Sequence, residues 1–173
     1  MKKEIQRILF VCTGNSCRSI MAEAYLKKRL QEENLSIEVA SAGTLGINGA
    51  TPTKETLKVL TNEGIDPKGY KSKALTANFI KWADLILVME PSHRVRVLIE
   101  VPEAEDKTYY LGEFSKDTVR VFEASTEGAV SRRRNEQVDI VIPDPIGRPL
   151  AFYRVSSRLI KQSIEGLIEW LKT

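Results

Sequence analysis

The sequence predicts an α/β fold: a doubly wound, mostly parallel central sheet with helices on both faces. Three observations predict it. Short apolar runs alternate along the chain with amphipathic helical segments. The runs are continuously apolar rather than alternating, as in strands covered on both sides. A tight turn rich in Gly and Asn joins the first run directly to the first helix.

The elements follow in order. Residues 7–11 (Arg-Ile-Leu-Phe-Val) read as a buried strand. Residues 12–19 form the turn, and residues 20–31 a helix with Met21, Tyr25 and Leu26 on one face. A second strand is expected at residues 37–40, leading into Ser41-Ala42-Gly43-Thr44. Residues 44–52, with their Gly, Thr and Asn, read as a loop. A helix over residues 53–62 is stopped by Gly64. Residues 76–82 predict a short helix and residues 84–89 the third strand. Ser92, after Pro91, is the expected cap of another helix. Residues 109–111 predict a last strand. Residues 113–142 are polar, carry Arg132-Arg133-Arg134, and read as a long surface excursion with a small hairpin. Residues 144–149 are a turn. In residues 153–171, Val155, Leu159, Ile160, Ser163, Leu167 and Leu171 recur at helical spacing.

Bulk properties bound the function. A chain of 173 residues fits one domain, here residues 1–173, and 42% apolar residues suffice for a core. The net charge of +3 lacks the concentrated basic footprint of a nucleic-acid binder, and the Arg run reads as a solvated loop. Apolar runs are too short for a membrane helix, and the start of the chain lacks the pattern of a secretory signal. A cytoplasmic protein is expected, with no nucleic-acid or membrane partner. The two cysteines, Cys12 and Cys17, share one short loop, so no disulfide framework is available. One histidine leaves no basis for a zinc site, and neither metal nor cofactor is expected.

The turn after the first strand carries the chemistry. Successive backbone N–H groups entering a helix can curl round an anion, and the helix N-terminus adds partial positive charge. Gly14 permits close approach of the backbone, and Asn15 tolerates left-handed geometry. Arg18 offers a planar fork matched to two phosphate oxygens. Such a field favours the thiolate of Cys12, with Ser19 as a hydrogen-bond donor to it. A thiolate held there can attack phosphorus and form a phosphocysteine that water hydrolyses. The single histidine, His93, belongs to a different unit, so a Cys–His pair has no local support.

Val11-Cys12-Thr13-Gly14-Asn15-Ser16-Cys17-Arg18-Ser19, followed by Met21-Ala22-Glu23, resembles the active-site loop of the low-molecular-weight protein tyrosine phosphatase family. Ser41-Ala42-Gly43-Thr44, Ala83-Asp84-Leu85-Ile86-Leu87-Val88-Met89 and Asp144-Pro145-Ile146-Gly147 extend the resemblance over nearly the whole chain. The resemblance implies Cys12 as nucleophile and Arg18 as the binder of phosphate and transition state. It implies Ser19 as support for the thiolate, and Asn15, bonded to Ser41, as the residue that fixes the loop. Thr13, Gly14, Ser16 and Cys17 complete the phosphate-binding loop. Asp144 becomes the general acid, which hands a proton to the leaving oxygen and takes one from the attacking water. Cys17 either packs beneath the loop or forms a reversible, protective disulfide with Cys12.

Three departures from the family pattern stand out. Ile20 replaces a proline after Arg-Ser. Tyr70 replaces a histidine before the helix at residues 76–82. The substrate wall carries Leu45 and Ile47 where an aromatic residue is common. Phosphotyrosine on a protein is the first substrate expected, with inorganic phosphate and other oxyanions as product or inhibitors. Ser16, small and polar, resembles the protein arginine phosphatase branch, so phosphoarginine is the alternative. Arsenate reductases share the loop, but they need later resolving cysteines that this chain lacks. A non-catalytic phosphopeptide-binding module ranks low because both Cys12 and Asp144 are present.

Overall fold

A computed structural model describes residues 4–115 and 140–173. Its sheet has four parallel strands: β1 (Arg7–Cys12), β2 (Glu38–Gly43), β3 (Leu85–Val88) and β4 (Thr108–Tyr110). Their spatial order is β2-β1-β3-β4. The chain thus leaves β1 to lay β2 on one side, then crosses back to lay β3 on the other. The crevice between these two crossovers opens at the carboxyl end of β1, the usual ligand position in such sheets.

Side chains of β1 alternate between two cores, as a pleated strand requires. Ile8, Phe10 and Cys12 point to one face. There they pack with α1 (Arg18–Glu32), α2 (Lys54–Asn62) and the long helix α5 (Leu150–Leu171). Leu9 and Val11 point to the other, against α3 (Ala77–Trp82) and α4 (Pro91–Glu100). All five of Ile8 to Cys12 are buried. The predicted fold class is therefore the observed one, and the continuous apolar run in β1 has its cause in two covered faces.

The local differences have physical reasons. Helix α1 starts at Arg18, two residues before the apolar pattern shows it, because Cys17 already hands its carbonyl to Met21 N–H at 2.9 Å. Helix α5 likewise starts at Leu150, directly after Pro149. Ser92 is not the cap of α4. Glu90 holds that position, Pro91 opens the helix, and the Ser92 hydroxyl donates instead to Glu90 Oε1 at 2.7 Å. The last strand is shifted by one residue, since Leu111 turns into a 3-10 segment (Leu111–Phe114). The expected hairpin, the Arg run and most of the excursion lie outside the described residues. The described ends of that stretch are packed: Phe114 meets Trp170 edge to face, with ring centroids 5.5 Å apart, and Ile142 is buried.

Gly166 shows why α5 sits so close to that 3-10 segment. A Cβ at this position would fall 1.6 Å from the carbonyl oxygen of Phe114. Gly166→Ala should therefore push α5 off its seat and cost at least about 1–3 kcal/mol. The midpoint of urea unfolding should fall accordingly, whereas Gly64→Ala, with open space around its Cβ, should show only the strain of its positive φ.

Candidate active site

Three segments at the carboxyl edge of the sheet meet around the turn after β1. Its carbonyls are tied outward: Cys12 O accepts from Thr44 N, Thr13 O from Leu45 N, and Ser16 O from Thr53 N. In a trans peptide the next N–H points opposite to its carbonyl. The N–H groups of Thr13, Gly14 and Cys17 are thereby turned the other way, as an anion-binding loop needs. No side chain caps the N-terminus of α1, which begins at Arg18.

Asn15 holds the loop's shape. It takes φ of 51° and is fully buried. Its side chain compensates the left-handed strain with three bonds. Nδ2 donates to Ser19 Oγ at 2.7 Å and to Ser41 Oγ at 3.0 Å, and Oδ1 accepts from Lys73 N–H at 2.8 Å. Gly43 lies against the same turn, and a Cβ there would meet Thr13 O at 2.8 Å and Asn15 N at 2.9 Å. The segment running from Ser41 to Gly43 is thus a buttress rather than part of the rim.

Cys12 Sγ lies 2.9 Å from Ser19 Oγ, and both are buried. Arg18 is 1% exposed. Its Nη1 donates to Glu90 Oε2 at 2.6 Å and to Ile142 O at 3.1 Å. Its Nη2 reaches Asp144 Oδ2 at 3.2 Å and Thr13 Oγ1 at 3.5 Å. Its Nε is buried and has no acceptor among the described residues. Burial opposes the charge of Arg18, but Glu90, Cys12 and Asp144 outweigh it and hold the guanidinium protonated. Burial also opposes ionisation of Glu90, yet the bonds from Arg18 and Ser92 win and keep its carboxyl below the usual range.

Asp144 joins the cluster from the turn before α5. Its Oδ1 accepts from Ile146 N–H at 3.1 Å, and Cys17 Sγ lies 4.0 Å away. Cys17 is free and buried, and burial, with Cys12 beside it, pushes its thiol up to about 12. Cys17 therefore stays a neutral thiol near neutral pH. Ser16 is half-buried and its hydroxyl turns toward Gly14. Leu45 is 63% exposed and tied to the loop by its N–H, while Ile47 is exposed farther along the same turn.

The structure thus gathers Cys12, Thr13, Gly14, Asn15, Ser16, Cys17, Arg18, Ser19, Ser41, Asp144 and Leu45 at one place. Sequence reasoning missed three residues. Glu90 pairs with Arg18, and its position just past β3, at the carboxyl edge, was the available signal. His93 is buried, and its Nε2 lies 2.9 Å from Thr13 Oγ1, so the histidine contacts the loop without pairing with Cys12. Glu23 is buried and accepts from Ser41 Oγ. Among the described residues no cluster of His, Cys, Asp or Glu is arranged to hold a metal, and no helix is long and apolar enough to cross a membrane.

A thiol and a guanidinium set round one anion-sized loop, at the switch point of a parallel sheet, define the class of cysteine-dependent phosphatases. Comparison with known proteins makes the assignment specific. The family described as low molecular weight phosphotyrosine protein phosphatase matches residues 7–173. A protein-arginine-phosphatase of Geobacillus stearothermophilus is 33% identical over 96% of this chain and 97% of its own. A probable low molecular weight protein-tyrosine-phosphatase, EpsP of Ralstonia nicotianae, is also 33% identical, over 95% of this chain and 94% of its own. The crystal structure of a low molecular weight protein tyrosine phosphatase from T. tengcongensis superposes with a TM-score of 0.77 at 32% identity, covering 95% of this chain and 99% of that one. The chain belongs to the low molecular weight protein-tyrosine-phosphatase family.

His93 gives a pH prediction. Burial, followed by the charge of Arg18, lowers its pKa from 6.5 to about 4. The unfolded chain therefore takes up a proton below pH 6.5 that the folded chain refuses until about pH 4. The stability linked to His93 is complete above 6.5 and is lost as pH falls between these values. Urea unfolding at pH 7.5 and pH 5 should differ less in His93→Asn than in wild type.

Proposed function

We propose that the protein removes phosphate from protein side chains through a phosphocysteine on Cys12, with phosphotyrosine as the first substrate. The observation that carries this reading is the buried Arg18 Nε, a donor without an acceptor among the described residues, on a guanidinium that feels the charge of Cys12. Buried donors are nearly always paired, so this one fits an oxygen of the ligand. The thiolate, with Ser19 as hydrogen-bond partner, attacks phosphorus opposite the ester oxygen. The S–P bond forms as the P–O bond breaks, and Asp144 delivers a proton to the leaving oxygen. Arg18 and the loop N–H groups hold the equatorial oxygens where charge gathers. Water then attacks the phosphocysteine, giving its proton to Asp144, and the thiolate and inorganic phosphate are released.

Phosphoarginine is the second reading. It is favoured by Ser16, which leaves the loop small and polar at that position, and by the arginine phosphatase among the relatives. Reduced, buried thiols fit action in the cytoplasm.

Two measurements test the assignment. Cys12→Ser should abolish hydrolysis of p-nitrophenyl phosphate, and Asp144→Asn should slow it roughly 10²- to 10⁴-fold where leaving-group expulsion limits the rate. Equal rates in wild type and Cys12→Ser would remove the nucleophile; no turnover in either would favour a phosphopeptide-binding module. Matched phosphotyrosine and phosphoarginine peptides decide the substrate. If phosphoarginine is preferred, Ser16→Ile should move kcat/KM toward phosphotyrosine.

A further inference from the structure

The turn before α5 presents Asp144 at one end and Arg148 at the other. The turn is stiff. Arg148 N–H donates to Pro145 O at 2.9 Å, and Gly147, the third of its four residues, takes φ of 71°. This geometry keeps Arg148 Cα within about 7 Å of Pro145 Cα. Pro149 follows and biases Arg148 toward an extended backbone. Asp144 points inward, with Oδ2 3.2 Å from Arg18 Nη2. Arg148 is exposed.

Exposure alone says little of an arginine, but this one is held and unspent. Its guanidinium lies over the ring of Phe152, with Cζ 5.3 Å from the centroid. Phe152 stands in the first turn of α5, 48% exposed, and its N–H donates to Pro149 O at 3.0 Å. The ring is therefore a fixed rest for the cation, which loses less freedom on binding than a loose side chain would. Among the described residues no carboxylate pairs with Arg148. A guanidinium over a ring is held by its charge. The N–H donors not turned to the ring remain for a planar, two-oxygen acceptor.

The phosphate that reacts is not that acceptor. It belongs to the loop and Arg18, and Asp144 stands between them and Arg148. Arg148 meets what is joined to the phosphorylated residue instead. Successive residues of an extended peptide are roughly 3.3–3.6 Å apart, so side chains about one to three residues away come within its reach. Leu45, Ile47 and Ile146 also border the site, but they are apolar and cannot tell an acid from its amide.

We infer that Arg148, held over Phe152, is a specificity-determining residue that pairs with an Asp or Glu side chain flanking the phosphorylated residue of a protein substrate. The inference rests on the proposed function and names the kind of sequence on which it acts.

The test uses matched phosphotyrosine and phosphoarginine peptides with one Glu or one Gln at each position up to about three residues either side of the phosphorylated residue. At the preferred position, wild type should show kcat/KM about three- to tenfold higher for Glu than for Gln. At about 0.5 M salt this preference should shrink toward equality. Arg148→Ala should abolish it, and Arg148→Glu should invert it in favour of a Lys peptide. Arg148→Lys, which keeps the charge but not the fork, should retain part of it. Phe152→Leu should weaken it with Arg148 still present. Each figure is a ratio of two peptides on one protein, so a general loss of turnover in a variant cancels. Equal kcat/KM for Glu and Gln at every position in wild type would overturn the inference. So would a ratio that Arg148→Ala leaves unmoved while both rates fall, since that marks a merely structural role for the turn. If no peptide is hydrolysed, the proposed function fails. The ratio of Kd values from fluorescence anisotropy with the same peptides then decides the inference separately, and equal values or no binding overturn it.

Discussion

Everything in this structure is arranged round one buried cation. Arg18 lies at the N-terminus of α1 with about 1% of its surface exposed. Taking a guanidinium out of water costs several kcal/mol unless its hydrogens find acceptors. Glu90, the carbonyl of Ile142, Asp144 and Thr13 supply them, from three separate parts of the chain. Hydrogen bonds to charged groups contribute about 1.5–3 kcal/mol each, enough to offset that cost only when several act together. The need to satisfy Arg18 therefore ties β3, the turn before α5 and the loop after β1 into one unit, and its Nε is left without an acceptor among the described residues.

The topology explains why these segments can meet. With β1 in the middle of the order β2-β1-β3-β4, the ends of β2 and β3 flank the loop on opposite sides. The β2 side buttresses it through Ser41, Gly43 and Thr44. The β3 side supplies charge and orientation through Glu90 and His93. The loop itself has little freedom: Asn15 in left-handed geometry is locked by three side-chain bonds, and no Cβ fits at Gly43. A loop held this way has its donors fixed in place, which is what electrostatic stabilisation of a transition state requires.

Other residues border this core. The side chain of Leu45 is exposed, Ser16 in the loop is half-buried, and Ile146 beside Asp144 is exposed. A relative named a protein-arginine-phosphatase and one named a probable low molecular weight protein-tyrosine-phosphatase are each 33% identical to this chain. The phosphate-handling core and its bordering residues thus answer to different demands. On the proposed function, the core binds one anion and its transition state, and the border tells an aryl ester from a phosphorylated guanidine by a few side chains.

The fold class was legible along the chain, and so was the loop proposed to carry the nucleophile. Both rest on local signals: the unbroken apolar run from Ile8 to Val11, and the compact spacing from Cys12 to Ser19. The sequence also pointed to Asp144, through likeness to a family. Packing in three dimensions sets which distant groups meet that loop. Glu90 and His93 stand at the start of α4, and although Glu90 follows β3 at the carboxyl edge, its sequence neighbours do not show that it pairs with a buried arginine. The cap of α4 differs from the expected Ser92 for a related reason, since the Glu90 side chain at the capping position accepts from Arg18 rather than from its own helix. The loop could be read because its residues are neighbours in the chain. The charge and hydrogen-bond direction around it became visible only when β1 brought those neighbours between β2 and β3.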